Sequence, residues 1–131
     1  MDMKLELVPV PVTDVDRAKA FYVDQLGFVL DVDVQPADGV RVVQLTPPGS
    51  ACSIVIGTGM GEISDMAPGT IKGLHLVVND ITQARDELIG RGVDVADIDD
   101  VGGGVEYAWF TDPDGNSLTL QQMAWRTGDS F

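Results

Sequence analysis

The chemistry open to this chain rests on very few side chains. His75 is the only histidine, and with no perturbation it is the one side chain that changes charge near neutral pH, which suits it to proton transfer, metal ligation or hydrogen bonding of a small molecule. Cys52 is the only cysteine, so neither an internal disulfide nor a thiolate zinc site is available, and it reads as a small buried thiol. Asp112, Asp114 and Asn116 are spaced like the opening of a calcium loop. The later acidic ligand of such a loop is missing, and Pro113-Asp114-Gly115 is ordinary turn chemistry. The glycine run Gly57 to Gly61 follows a strand but opens no clear helix and has no Lys-Ser/Thr beside it, so it reads as linker rather than phosphate cradle. Asp97 to Gly104 reads as a solvated acidic loop, and no Ser-His-Asp motif is present.

The elements that must hold these residues are organised by an internal repeat. LVPVPVTDVDRAKAFYVDQLGF returns as LHLVVNDITQARDELIGRGVDV, and LTPPGSACSIVIG returns as FTDPDGNSLTLQQ; Asp14 to Asp80 and Gly49 to Gly115 are both separated by 66 residues. Each copy begins with alternating apolar residues of strand period, at Val8, Val10 and Val12 and at Leu74, Leu76 and Val78. Pro9 and Pro11 donate no ladder hydrogen bond, so the first strand needs an irregular or unpaired side. Asp14 and Asp80 stand as helix N-caps, with Gln83 placed to complete a capping box. Helical spacing follows at Val15, Ala18, Tyr22 and Leu26 and at Ile81, Ala84, Leu88 and Ile89, and Gly27 and Gly92 terminate the two helices. Strands are expected at about 28–34, 40–46 and 52–57, then at about 93–97, 105–111 and 117–122. The resulting organisation is a single domain over 1–131: a βαβββ module at 5–57, a linker at 58–72, a second βαβββ module at 73–122 and a tail at 123–131.

Composition narrows the partners. The chain has 131 residues, 44% hydrophobic and 22% charged, with a formal net charge of -13. That composition is globular, and a field of that sign disfavours nucleic acid and anionic membrane. No apolar run is long enough to span a bilayer and the first residues lack a signal peptide's pattern, so a cytoplasmic location is expected.

Two βαβββ units, with FYVDQLGF after the first helix and WFTDPDGNSLTL near the end, resemble the vicinal oxygen chelate superfamily, which includes glyoxalase I, extradiol dioxygenases, fosfomycin-resistance transferases and bleomycin-resistance binding proteins. The resemblance covers roughly residues 5–122. It implies an α+β fold in which two modules form a curved, partly closed mixed-sheet barrel around a cavity, with the helices outside. Enzymes of that family place a metal-binding His seven residues before the Asp that opens each helix, and a Glu four residues after the turn glycine. Here those positions hold Leu7, Gly73, Ser53 and Thr119, none of them an ordinary ligand of a divalent ion. The resemblance therefore implies a protein without a metal or other cofactor. It also implies a homodimer, with Trp125 in the tail placed to cover a neighbour or its own domain.

Strand parity proposes the lining. Phe110 and Leu45 pack toward the helices, so Tyr107 and Trp109 face the cavity, joined by His75, Thr119, Gln121, Val42 and Gln44. Two functions follow from this set. In the first, the chain sequesters or carries a small, flat, partly apolar molecule against Trp109 and Tyr107. In the alternative, a non-standard site near His75 holds Zn, Ni, Mn or Fe, and the chain is a glyoxalase-like lyase or isomerase or a dioxygenase.

Overall fold

A computed structural model describes residues 1–126. The elements run β1 (Leu7–Pro9), α1 (Val15–Ala20), β2 (Val29–Ala37), β3 (Val40–Thr46), β4 (Ser53–Thr58), β5 (Leu74–Val77), α2 (Ile81–Gly90), β6 (Asp99–Gly102), β7 (Val105–Thr111) and β8 (Ser117–Met123). They form two four-stranded mixed sheets, ordered β1-β4-β3-β2 and β5-β8-β7-β6. In each, the first and last strands of a βαβββ module pair in parallel and the other pairs are antiparallel. Both sheets are open, with β1 and β2 as edges of one and β5 and β6 as edges of the other, in place of the expected barrel closure. The chain divides into two compact units: Met1–Thr70 with Pro113–Asn116, and Ile71–Asp112 with the chain from Ser117 onward.

In the first unit, Asp14 caps α1 by accepting from the Arg17 amide at 3.0 Å. The helix then departs from the expected regular spacing, because Phe21–Gln25 is a π-helical turn. The consecutive residues Phe21 and Tyr22 at its start are both buried in the core, and their rings meet edge to face at 5.2 Å. Val43, Leu45, Ile54 and Ile56 form the buried face of the sheet, together with Val10. The strand β1 is short and lies at an edge, as Pro9 and Pro11 require. The turn Pro113–Asn116 belongs to this unit: Asn116 is fully buried and donates to the Pro11 carbonyl, while Asp114 accepts from the Thr13 amide and hydroxyl and from Arg17. Gly69 sits against the same turn with φ +78, and a Cβ there would lie 2.2 Å from the Asp114 carbonyl oxygen, so no larger residue fits.

In the second unit, Asp80 caps α2 by accepting from the Gln83 amide at 3.0 Å. The Gln83 side chain reaches forward to Glu87 instead of back to the cap, so the capping box is only half made. The buried faces are Ile81 and Leu88 of α2 against Ala108, Phe110, Leu118 and Leu120. The expected strand at 93–97 is replaced by β6 a few residues later. Val93 and Val95 are buried as strand alternation suggests, but the backbone there bonds outside a ladder: Arg85 donates to the carbonyls of Ala96 and Val95, and the Ala96 amide donates to Trp109. Part of the stretch expected as a solvated acidic loop is thus β6, paired with β7. After Met123 a bridge to Arg126 ends the described chain, Trp125 is exposed, and the expected tail beyond it, 127–131, lies outside the described residues. No helix among the described residues is long and apolar enough to cross a membrane.

Candidate functional site

Alternation along the strands of the second sheet sends Leu74, Leu76, Ala108, Phe110, Leu118 and Leu120 toward α2 and the odd-numbered residues to the opposite face. On that opposite face His75, Thr119 and Trp109 form one row across β5, β8 and β7. Gln121, Tyr107 and Asp99 form the next row, on β8, β7 and β6. Five of the seven residues expected from sequence to line the site are therefore side by side, and Val42, like Gln44, belongs to the first unit. A cleft of about 410 Å³ opens over them, lined by His75, Tyr107, Trp109 and Thr119 with Asp97, Asp99 and Ser117. Trp109 is 58% exposed, an unusual state for so large an apolar side chain on a sheet face. A wider hollow beside α2 is lined by polar and acidic residues, Asp80 and Glu87 among them, and has no aromatic side chain in its wall.

The His75 imidazole has a defined environment. Its Nδ1 lies 2.6 Å from the carbonyl oxygen of Gly73, and its ring meets the Tyr107 ring edge to face at 5.5 Å. Gly73 is itself held by a hydrogen bond from its amide to the Ser117 hydroxyl at 2.8 Å. The Tyr107 hydroxyl accepts from Gln121 at 3.5 Å. Aromatic, hydroxyl, imidazole and carboxylate groups converge here on one cleft.

The expected lining residue Gln44 belongs to the first unit. There it faces away from the buried Val43 and Leu45, and its amide donates to Glu6 at 2.8 Å. Beside it the Thr46 hydroxyl donates to Asp31 and meets the Ser53 hydroxyl at 2.6 Å.

The residues at the family's metal positions do not fit a divalent ion. Leu7 has no donor, the Ser53 hydroxyl is taken up with Thr46, Thr119 is neutral, and Gly73 has no side chain and a φ of +73 that any other residue adopts only with strain. The constant spacing of 66 also fails in the last strands. The ladder partners Leu45–Ile54 and Phe110–Leu118 are 65 and 64 residues apart, because the turn at 47–52 is longer than the turn at 112–116. Ser53 thus answers to Ser117, and the residue answering to Thr119 is Val55, which has no donor either. Among the described residues no three His, Cys, Asp or Glu side chains converge into a metal-holding group.

Sequence reading missed Asp97, Asp99 and Ser117. Asp99 was legible only through the alternation of β6, which runs through a glycine-rich acidic stretch that hides a strand. Ser117 follows the turn and touches the site through Gly73, a contact that only the β5–β8 ladder creates.

The chain matches the Glyoxalase/Bleomycin resistance protein/Dioxygenase superfamily over residues 4–120. Among solved structures it is similar to TnmS3, an antibiotic binding protein from Streptomyces sp. CB03234, with 35% identity over 94% of this chain and 98% of that one and a TM-score of 0.82. A glyoxalase/bleomycin resistance protein from the same organism is 36% identical over 91% of this chain and 100% of that one, with a TM-score of 0.77. A member of the superfamily from Sphaerobacter thermophilus DSM 20745 is 30% identical over 92% and 98%, with a TM-score of 0.81. No curated protein matches the chain.

Proposed function

This chain belongs to the glyoxalase/bleomycin resistance protein/dioxygenase superfamily, and from that premise we propose that it is a metal-free binding protein that sequesters a flat, partly apolar aromatic molecule. The observation that carries the reading is the exposed Trp109 in one row with Thr119 and His75, above a cleft completed by Tyr107. Stacking a planar ligand on Trp109 removes apolar area from both partners, while His75, Thr119 and Gln121 supply the few polar contacts that fix its orientation. Similarity to an antibiotic binding protein supports small-molecule binding. The residues at the family's ligand positions speak against chemistry in which an ion polarises two substrate oxygens. The protein works as a homodimer in this reading, supported by the exposed apolar residues Val29, Leu30 and Val34 along β2.

The decisive experiment is a titration of tryptophan fluorescence with anthraquinone, naphthalene and other planar aromatic compounds in a Trp125→Phe background, which leaves Trp109 as the only reporter. Saturable quenching supports the reading. A flat response across the panel removes it.

A further inference from the structure

The short contact between His75 and Gly73 fixes more than the position of the ring. A backbone carbonyl oxygen only accepts, so the 2.6 Å hydrogen bond requires Nδ1 to carry a proton and donate. In the neutral imidazole the lone pair then resides on Nε2. Among the described residues Nε2 has no hydrogen-bond partner, and the exposed ring lines the cleft. The lock is braced from behind, because Ser117 holds the Gly73 amide and the left-handed backbone at Gly73 sets the direction of its carbonyl. The edge of the Tyr107 ring restrains the imidazole from the side.

We propose that His75 is a fixed hydrogen-bond acceptor, so that the ligand class of this site is a planar aromatic with an O–H or N–H donor on its edge and no negative charge. The inference rests on the aromatic-binding reading above and adds the polar half of the recognition. The absence of negative charge follows from Asp97 and Asp99 in the same cleft, from the lack of any Lys or Arg in its lining, and from the net charge of -13. Arg85, which reaches Asp97 from α2, is committed to that carboxylate and to the carbonyls of Val95 and Ala96.

The test compares three probes of nearly equal shape at pH 7.5: 2-naphthol, 2-methoxynaphthalene and 2-naphthoate, read by quenching of Trp109. The expected order is 2-naphthol tightest, by roughly three- to tenfold over the methyl ether, the range of one neutral hydrogen bond. 2-Naphthoate is expected to be weakest. In His75→Phe, which keeps a ring beside Tyr107, naphthol and its ether become equal. Equal binding of these two to the unaltered protein overturns the inference and leaves the aromatic reading standing. Tightest binding of 2-naphthoate overturns it as well, since a carboxylate prefers a ring that presents N–H. Failure of all three to bind removes the aromatic reading and the inference with it. Nitrogen NMR of the unaltered, ligand-free protein needs no variant: a protonated Nδ1 with a bare Nε2 supports the lock, and the opposite tautomer overturns it.

Discussion

His75 and Trp109 flank Thr119 in a single row of the second sheet, one from the parallel neighbour β5 and the other from the antiparallel neighbour β7. Residues directly opposite in a sheet have Cβ atoms about 5 Å apart. The indole and the imidazole therefore stand two strand spacings apart on one face, with the small Thr119 side chain between them.

Replacing Trp109 with alanine is expected to weaken binding of planar aromatics by about tenfold or more, since the indole is the main apolar surface on offer. Thermal stability should move little, within roughly 0.5 kcal/mol, because the side chain is already 58% exposed. A binding titration and a melting curve on the same preparation check both halves. A large drop in melting temperature would mean that Trp109 belongs to the core.

Metal should be irrelevant to binding. Treatment with EDTA followed by dialysis is expected to leave the fluorescence titration unchanged, and added zinc, nickel or manganese should neither shift the melting temperature nor appear at stoichiometric level in elemental analysis. Binding to the native state stabilises a protein in proportion to ligand excess, so a specific ion would reveal itself as a rise in melting temperature.

Asn116→Ala is expected to destabilise the protein by about 1–3 kcal/mol, the range for leaving a buried polar group without its partner. The Asn116 amide is fully buried and donates to the Pro11 carbonyl at 2.9 Å, and alanine leaves that oxygen with only the longer 3.3 Å bond from the Gly69 amide. Urea denaturation measures the loss. The same measurement on Asp38→Ala, at an exposed position in the β2–β3 turn, should give almost no change.

Acid stability should depend on Asp33. Arg41, by direct hydrogen bonding, and then Lys19 hold its carboxyl well below the usual carboxylate range, and Asp33 and Asp16 in turn keep Arg41 charged. A carboxyl group depressed in the folded state contributes stability above its unfolded pKa of about 4 and loses it as pH falls toward the folded value. Asp33→Asn is therefore expected to lower stability at pH 7 by up to about 1 kcal/mol, as suits a partly exposed network tying α1 to β2 and β3. At low pH the difference from the unaltered protein should shrink. A gap that stays constant from pH 7 to pH 2 would show that the charge network contributes nothing.

Much of this organisation is legible in the chain itself because it depends on neighbours in sequence. Asp14 and Asp80 cap helices through bonds three residues away, Gly27 and Gly92 have positive φ where the helices end, and the strand expected at 105–111 coincides with β7. The parity of β7 and β8 likewise placed Tyr107, Trp109, Thr119 and Gln121 on one face before any contact was known. Where local signals compete, sequence reading loses. The π-helical turn at Phe21–Gln25 interrupts a stretch whose apolar spacing is that of a regular helix, and β6 hides in an acidic, glycine-rich stretch because its partner β7 supplies the pattern that its own residues lack.

The two βαβββ modules, the faces of β7 and β8 and the lack of donors at Leu7 and Gly73 were thus legible in the chain alone, since period, caps and residue chemistry are local properties. Only the tertiary structure decided that Ser53 answers to Ser117, that Asp97 and Asp99 border the cleft, and that Gly73 locks the His75 ring from two residues away. Register between strands, unlike alternation within one, is set by turn length and by the ladder that closes across it, and a difference of a single turn residue re-pairs every side chain beyond it.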